Sequence, residues 1–184
     1  MNIFILNEDP YVAADNLCDK HKVKMLIETC QMLSAVLDVR GRKGLSTELE
    51  LPQYPKAHIK HPCTIWACES YINAQWLVKH LHGISQSYAK TYPRKEHKLA
   101  KHYEVYAREI QHCAFPIMDK RTEFVQAMPD EYKVKQDAVS AYKNYYLMDK
   151  TFAKWKLGAP KWYTEGRDFM LKSTRLYTRE HITP

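Results

Sequence analysis

The chain has 184 residues, 45% of them hydrophobic and 27% charged, with 28 Lys and Arg against 21 Asp and Glu for a net charge of +7. That length fits one domain able to bury a core without metal or disulfide support, and the composition is that of an ordinary soluble globule. No apolar run approaches the roughly 20 residues of a membrane span. The opening MNIFILNEDP also lacks the basic start and long apolar centre of a secretory signal, so a cytoplasmic protein is expected.

Only 5 Gly, with Pro mostly between periodic segments, favour helix over sheet. Residues 2–6 alternate weakly and suit a short strand or a buried N-terminal tail. After Asp9-Pro10, Asp15 or Asp19 can cap a helix running to about Leu37. Residues 39–62 hold two Gly, three Pro and the cations Arg40, Arg42, Lys43, Lys56 and Lys60, which predicts a long basic surface loop. A second helix is predicted from Pro62 to just before Pro93, a third over about 95–114, a fourth over about 136–148, and a mixed helical stretch after Gly158. The expected architecture is all-α: one helical bundle spanning 1–184, with a short extended N-terminal segment and the basic loop 39–62 within it.

Five cysteines (Cys18, Cys30, Cys63, Cys68 and Cys113) without CxxC spacing read as core thiols of a reducing compartment. The His58/His61 and His80/His82 pairs lack a carboxylate or thiolate at a zinc spacing, so no metal site and no cofactor are expected.

In DKHKVKMLIE, His21 and Glu28 stand seven residues apart. On a helix they share a face, about 20° apart in azimuth and roughly 10.5 Å apart along the axis. Lys24 falls between them and Gln31 extends the row, while Val23, Leu26, Ile27, Cys30, Leu33 and Leu37 form the apolar stripe predicted to face the core. A His–Lys–Glu–Gln ridge either faces water or lines a cleft. In a cleft, the carboxylate suits stabilising a developing cation or moving a proton.

Residues 132–163 carry seven lysines, two acids and eight aromatics. Lysines neutralise phosphates and aromatic faces stack on exposed bases, which makes nucleic acid the expected partner. Trp155, Trp162 and Tyr163 lie outside a clear helical period and are the predicted stacking platforms, whereas Val139, Tyr142 and Tyr146 fit a core stripe. Arg40, Arg42 and Lys43, with His58 and His61 ahead of the second helix, form a second candidate phosphate site. No phosphate-cradling Gly loop and no Ser/His/Asp order is present, which argues against a kinase or ATPase of known type.

The MNIF start, the DKHxVKMxxE helix, HPCxxWxxES, AYxNYY and the late Pro-x-Trp-Tyr together resemble a set of small, mostly uncharacterised phage-encoded helical proteins. More distantly, the spacing from Asp19-x-His21 to Glu28 and the tail Lys161-Trp162-Tyr163 resemble the phage pyrimidine-dimer DNA glycosylases of the endonuclease V type. That resemblance implies a DNA glycosylase for damaged or modified bases in the host-cell cytoplasm. Glu28 would stabilise the sugar cation and imine, His21 would contact DNA, and an N-terminal amine would be the nucleophile. The chain departs from the family pattern at Asn2, a residue that disfavours methionine removal and leaves the amine of Met1 for that role. It departs again at Ile27 and Gln31, where arginines are expected. Two alternatives stand beside this reading: a non-enzymatic nucleic-acid-binding protein using 132–163, and an enzyme acting on free nucleotides held by the 39–61 loop.

Overall fold

The computed structural model describes residues 2–181, with side chains described for 2–172. Among them the fold is an all-α single domain of eight helices without a strand. The N-terminal segment 2–6 is a buried tail rather than a strand, with Ile3, Ile5 and Leu6 fully enclosed. Helix α1 (Pro10–Asp15), not anticipated from periodicity, starts where the Asp9 carboxylate accepts from Tyr11 N at 2.8 Å and Val12 N at 2.9 Å. Pro10 supplies a pre-set φ at the first turn.

Helix α2 (Asp19–Val39) is the axis of the core. Its N-cap is Cys18, and Asp19, predicted as a cap, instead sits in the first turn and accepts from Lys156 N at 2.9 Å. Thirteen of its 21 residues are buried, so α2 is wrapped on most sides rather than on one stripe. This corrects the predicted facing: His21 and Glu28 are enclosed, while Val23 and Ile27 are 43% and 44% exposed. Leu26, Cys30, Leu33 and Leu37 are buried as expected.

The basic loop is less irregular than predicted, since it holds the one-turn helix α3 (Leu45–Glu48) and a 3-10 turn at Lys56–Lys60. The long second helix divides into α4 (Pro62–Glu69) and α5 (Tyr71–Thr91). Ser70 makes the break with extended dihedrals, and its hydroxyl caps α5 by accepting from Ile72 N at 3.1 Å. Tyr71 N donates to Ile117 O at 2.9 Å, and Asn73 donates to Trp66 O and to Thr122 Oγ1, each at 2.7 Å. The bonds to Ile117 and Thr122 take a returning segment of chain that local sequence periodicity does not register.

Helix α6 (His102–Ile110) is shorter than expected because residues 95–101 form turns, with Lys95 N donating to Tyr92 O and Ala100 N to His97 O. A long irregular segment, broken only by a 3-10 turn at Asp130–Tyr132, leads to α7 (Ala138–Asp149) and then α8 (Lys161–His181). The Tyr142 hydroxyl fastens that segment to α7, donating to Val125 O and accepting from Ala127 N.

Helices α2 and α5 pack centrally, with α1, α4 and α6 around them. All five cysteines are buried free thiols. His80 lies wholly inside, stacked on Trp76 at 4.9 Å, and neither ring nitrogen has a hydrogen bond among the described residues. Where α5 crosses α1, Gly83 permits the approach: a Cβ there would stand 2.9 Å from Ala14 Cβ and 3.1 Å from the Tyr11 backbone. Gly83→Ala gains roughly 1 kcal/mol of helix propensity yet forces two backbones apart. We expect a net loss of about 1–2 kcal/mol, read as a lower urea midpoint; an unchanged or raised midpoint would show that α1 yields freely.

Candidate active site

Residues 2–4 and the two helices α2 and α7 converge on one cleft of about 300 Å³ lined by Asn2, Phe4, His21, Lys24, Met25, Glu28, Tyr145, Lys150 and Phe152. Three members of the ridge read from sequence, His21, Lys24 and Glu28, therefore line a cleft, with Lys24 at its exposed edge. The tail forms its first wall through local hydrogen bonding. Asn2 Oδ1 accepts from Ile3 N at 2.7 Å and Phe4 N at 3.1 Å, and Asn2 Nδ2 donates to Ala127 O at 2.7 Å. This bend holds Phe4 at φ +43°, a conformation that costs a bulky L-residue about 1–3 kcal/mol and that surrounding contacts must enforce. The result is a Phe4 ring stacked on the His21 imidazole at 4.3 Å and 17°.

His21 is enclosed on its other sides as well. Its Nδ1 is hydrogen-bonded to the Tyr146 hydroxyl, and Phe152 meets the ring edge-on at 5.5 Å. Burial pushes its pKa down to about 4, helped by the positive charges of Lys150 and Lys24, so the imidazole is neutral at pH 7. Glu28 sits on the floor with its side chain 12% exposed, and Lys24 Nζ reaches its Oε1 at 3.1 Å from a 64% exposed position. A partly desolvated carboxylate with the Lys24 ammonium at its outer edge can face a developing positive charge in the cleft.

Lys24 and Lys150 contribute positive charge to the lining. Lys150 Nζ lies 3.9 Å from the Tyr145 ring centre and 2.8 Å from Asp149. Burial acts to lower the pKa of Lys150, but hydrogen bonds to Asp149 and Tyr145 outweigh it and keep the ammonium charged. Lys20 Nζ stands 5.1 Å from the Phe152 ring. The cleft thus has a carboxylate floor, aromatic walls and a cationic edge.

The remaining sequence candidates lie elsewhere. Gln31 donates to Gln53 O at 3.0 Å and is not in the cleft. Arg42 is tied to Glu109 at 2.9 Å, and Arg40 lies beside Cys68. Lys43 is exposed, His58 is half-buried, and His61 caps α4 by accepting from Cys63 N at 3.2 Å. The loop cations are dispersed over these separate contacts and none lines the Glu28 cleft.

Trp155, Trp162 and Tyr163 are half-buried rather than open platforms. Trp155 donates to Asn16 O at 3.1 Å, and both tryptophans pack against Tyr146, with ring centres 6.4 and 6.1 Å away. Met1 lies outside the described residues. Asn2, Phe4, Tyr145, Lys150 and Phe152 were not singled out beforehand. The alternation in NIFIL placed Asn2 and Phe4 on one side, but nothing local indicated that α7 would close over them.

No protein family, no curated protein and no solved structure matches this chain. Among the described residues no group of three or more His, Cys, Asp or Glu side chains is placed to hold a metal ion, and no helix is long and apolar enough to cross a membrane.

His21 and His80 make the fold sensitive to acid. Burial lowers His80 to about 3 and His21 to about 4, from 6.5. Below pH 6.5 the unfolded chain therefore binds protons that the folded chain refuses, and stability present above pH 6.5 is lost as pH falls toward 4. The loss is roughly 1 kcal/mol per pH unit for each group. Urea unfolding at pH 7.5 and 5.5 should show it, and His80→Leu should remove about half of the difference. Equal stabilities at the two pH values in wild type would refute the linkage.

Proposed function

We propose that the protein is a glycosylase-like enzyme acting on damaged or modified bases in DNA, with Glu28 as the catalytic carboxylate. The observation that carries this reading is the cleft itself: one enclosed carboxylate, aromatic walls from Phe4, Tyr145 and Phe152, Lys24 and Lys150 in its lining, and Lys20 against the Phe152 ring. An extruded nucleotide has matching chemistry, with a flat base for the aromatic walls and phosphates on either side for the ammonium groups. As the bond between the sugar C1′ and the base breaks, its electron pair leaves with the base and positive charge develops on the sugar. Glu28 faces that charge. Water, or an amine such as that of Met1, then adds to C1′.

The alternative of a free nucleotide as substrate is favoured by one feature, the small volume of the cleft, which is at the lower end of the range for ligand pockets. The binding-module alternative draws less support, since Trp155, Trp162 and Tyr163 spend their faces on Tyr146 and on one another.

The test uses labelled duplexes carrying a thymine dimer, an abasic site or a modified base, with borohydride present, for wild type and Glu28→Gln. We expect base release by wild type, a loss of at least about 100-fold in Glu28→Gln, and duplex affinity changed by less than about threefold. A trapped covalent adduct identifies an amine nucleophile; release without trapping assigns water. Salt-sensitive binding without product on any duplex would overturn the enzyme reading for DNA, and mononucleotide binding with little salt dependence would move it to free nucleotides.

A further inference from the structure

One residue of the 132–163 segment, besides those that line the cleft, bears on its chemistry without touching it. Tyr146 on α7 is fully buried, and its hydroxyl meets His21 Nδ1. It is gripped by aromatic neighbours on three elements: Phe4 of the tail edge-on at 5.3 Å, Trp155 at 6.4 Å and Trp162 of α8 at 6.1 Å. A phenol so enclosed cannot turn away to water, and its oxygen has a second neighbour in Cys18 at the start of α2, whose sulfur is a weak acceptor. Between a weakly accepting sulfur and an unprotonated imidazole nitrogen, the phenolic hydrogen goes to Nδ1. His21 Nε2 has no hydrogen bond among the described residues, yet His21 lines the cleft.

We propose that Tyr146 is a positioning residue that donates to His21 Nδ1, fixes the imidazole as the Nε2–H tautomer and so sets a neutral hydrogen-bond donor into the Glu28 cleft. Its partner on a substrate is an acceptor atom, such as a base carbonyl oxygen or an unprotonated ring nitrogen, and never a second donor. Phe4 stacking and the Phe152 edge fix the plane of the ring, and Tyr146 fixes which nitrogen carries the hydrogen. In the proposed reaction this donor meets the departing base while Glu28 faces the sugar. That placement rests on the glycosylase reading; the tautomer assignment does not.

The experiment is 15N-resolved NMR of the histidine rings in the full chain at pH 7.5, for wild type and Tyr146→Phe, with His21→Gln identifying the signal. The phenylalanine variant keeps the aromatic packing and removes one oxygen. Expected in wild type is a His21 ring with Nε2 protonated and Nδ1 of acceptor type; in Tyr146→Phe, the two nitrogens move toward an averaged tautomer. A wild-type His21 protonated on Nδ1, or a ring unchanged by Tyr146→Phe, overturns the proposal, and the wild-type spectrum decides even if the variant folds poorly.

Turnover on whichever labelled duplex wild type processes is the second readout. Tyr146→Phe should lower kcat at least about tenfold with KM changed less than about twofold. A kcat equal to wild type overturns the positioning role. Absence of product from wild type on every duplex overturns the glycosylase reading instead, while the expected wild-type spectrum would still establish the donor.

Discussion

The side chain of Asn2 is the point on which the cleft depends. Its carbonyl oxygen takes the N–H groups of Ile3 and Phe4, and its amide reaches across 125 positions of chain to the carbonyl of Ala127. One short polar side chain therefore bends the tail, anchors the long irregular segment and turns Phe4 onto His21. Buried backbone groups that secondary structure does not pair must be satisfied by something, and here that something also shapes a wall. Tyr142 repeats the arrangement from the other side, with its hydroxyl bonded to Val125 and Ala127. The two side chains hold the segment between them without a sheet.

The cleft brings together groups that would separate in water. The enclosed Glu28 carboxylate is retained beside Lys24, and Lys150 is held charged by Asp149 and Tyr145 at a position only 14% exposed. A neutral imidazole completes the set, because burial and two nearby ammonium groups deny it a proton. Each ionic group keeps a partner, which limits the cost of desolvation, and the imidazole avoids that cost by remaining uncharged. The same charges leave a cationic approach to an anionic interior point. In the proposed function, that order of signs matches a polyanion whose reacting atom, rather than its phosphates, reaches the floor.

The helical class and most core positions were legible because 3.6-residue periodicity reports local amphipathicity. The spacing of His21, Lys24 and Glu28 correctly placed three groups on one face, and the cleft uses all three. The direction of that face was not legible. α2 is buried on most sides, so His21 and Glu28 of the polar ridge are enclosed while Val23 and Ile27 meet solvent. The division of the second helix at Ser70 was hidden for a related reason: the apolar period continues across it, and the cause is a remote segment bonding at Tyr71 and Asn73. Phe4, Tyr145, Lys150 and Phe152 reach the cleft through contacts between residues about 140 positions apart, which no local pattern encodes. The aromatics of 132–163 were visible as a cluster, but composition does not distinguish a ring that stacks on a ligand from one that packs on Tyr146.

The five buried thiols give the molecule an internal record of its own opening. Burial raises Cys30 and Cys63 to about 12 and Cys113 to about 11, so in the closed fold these sulfurs are protonated, screened from solvent and slow to react. They are distributed over distinct parts of the structure: Cys18 at the start of α2 beside Tyr146, Cys30 within it, Cys63 and Cys68 in α4, and Cys113 just beyond α6. An alkylating reagent therefore reads excursions rather than the resting state. The order in which the sulfurs become modified ranks those regions by how often each one breathes, with no label introduced and no residue changed.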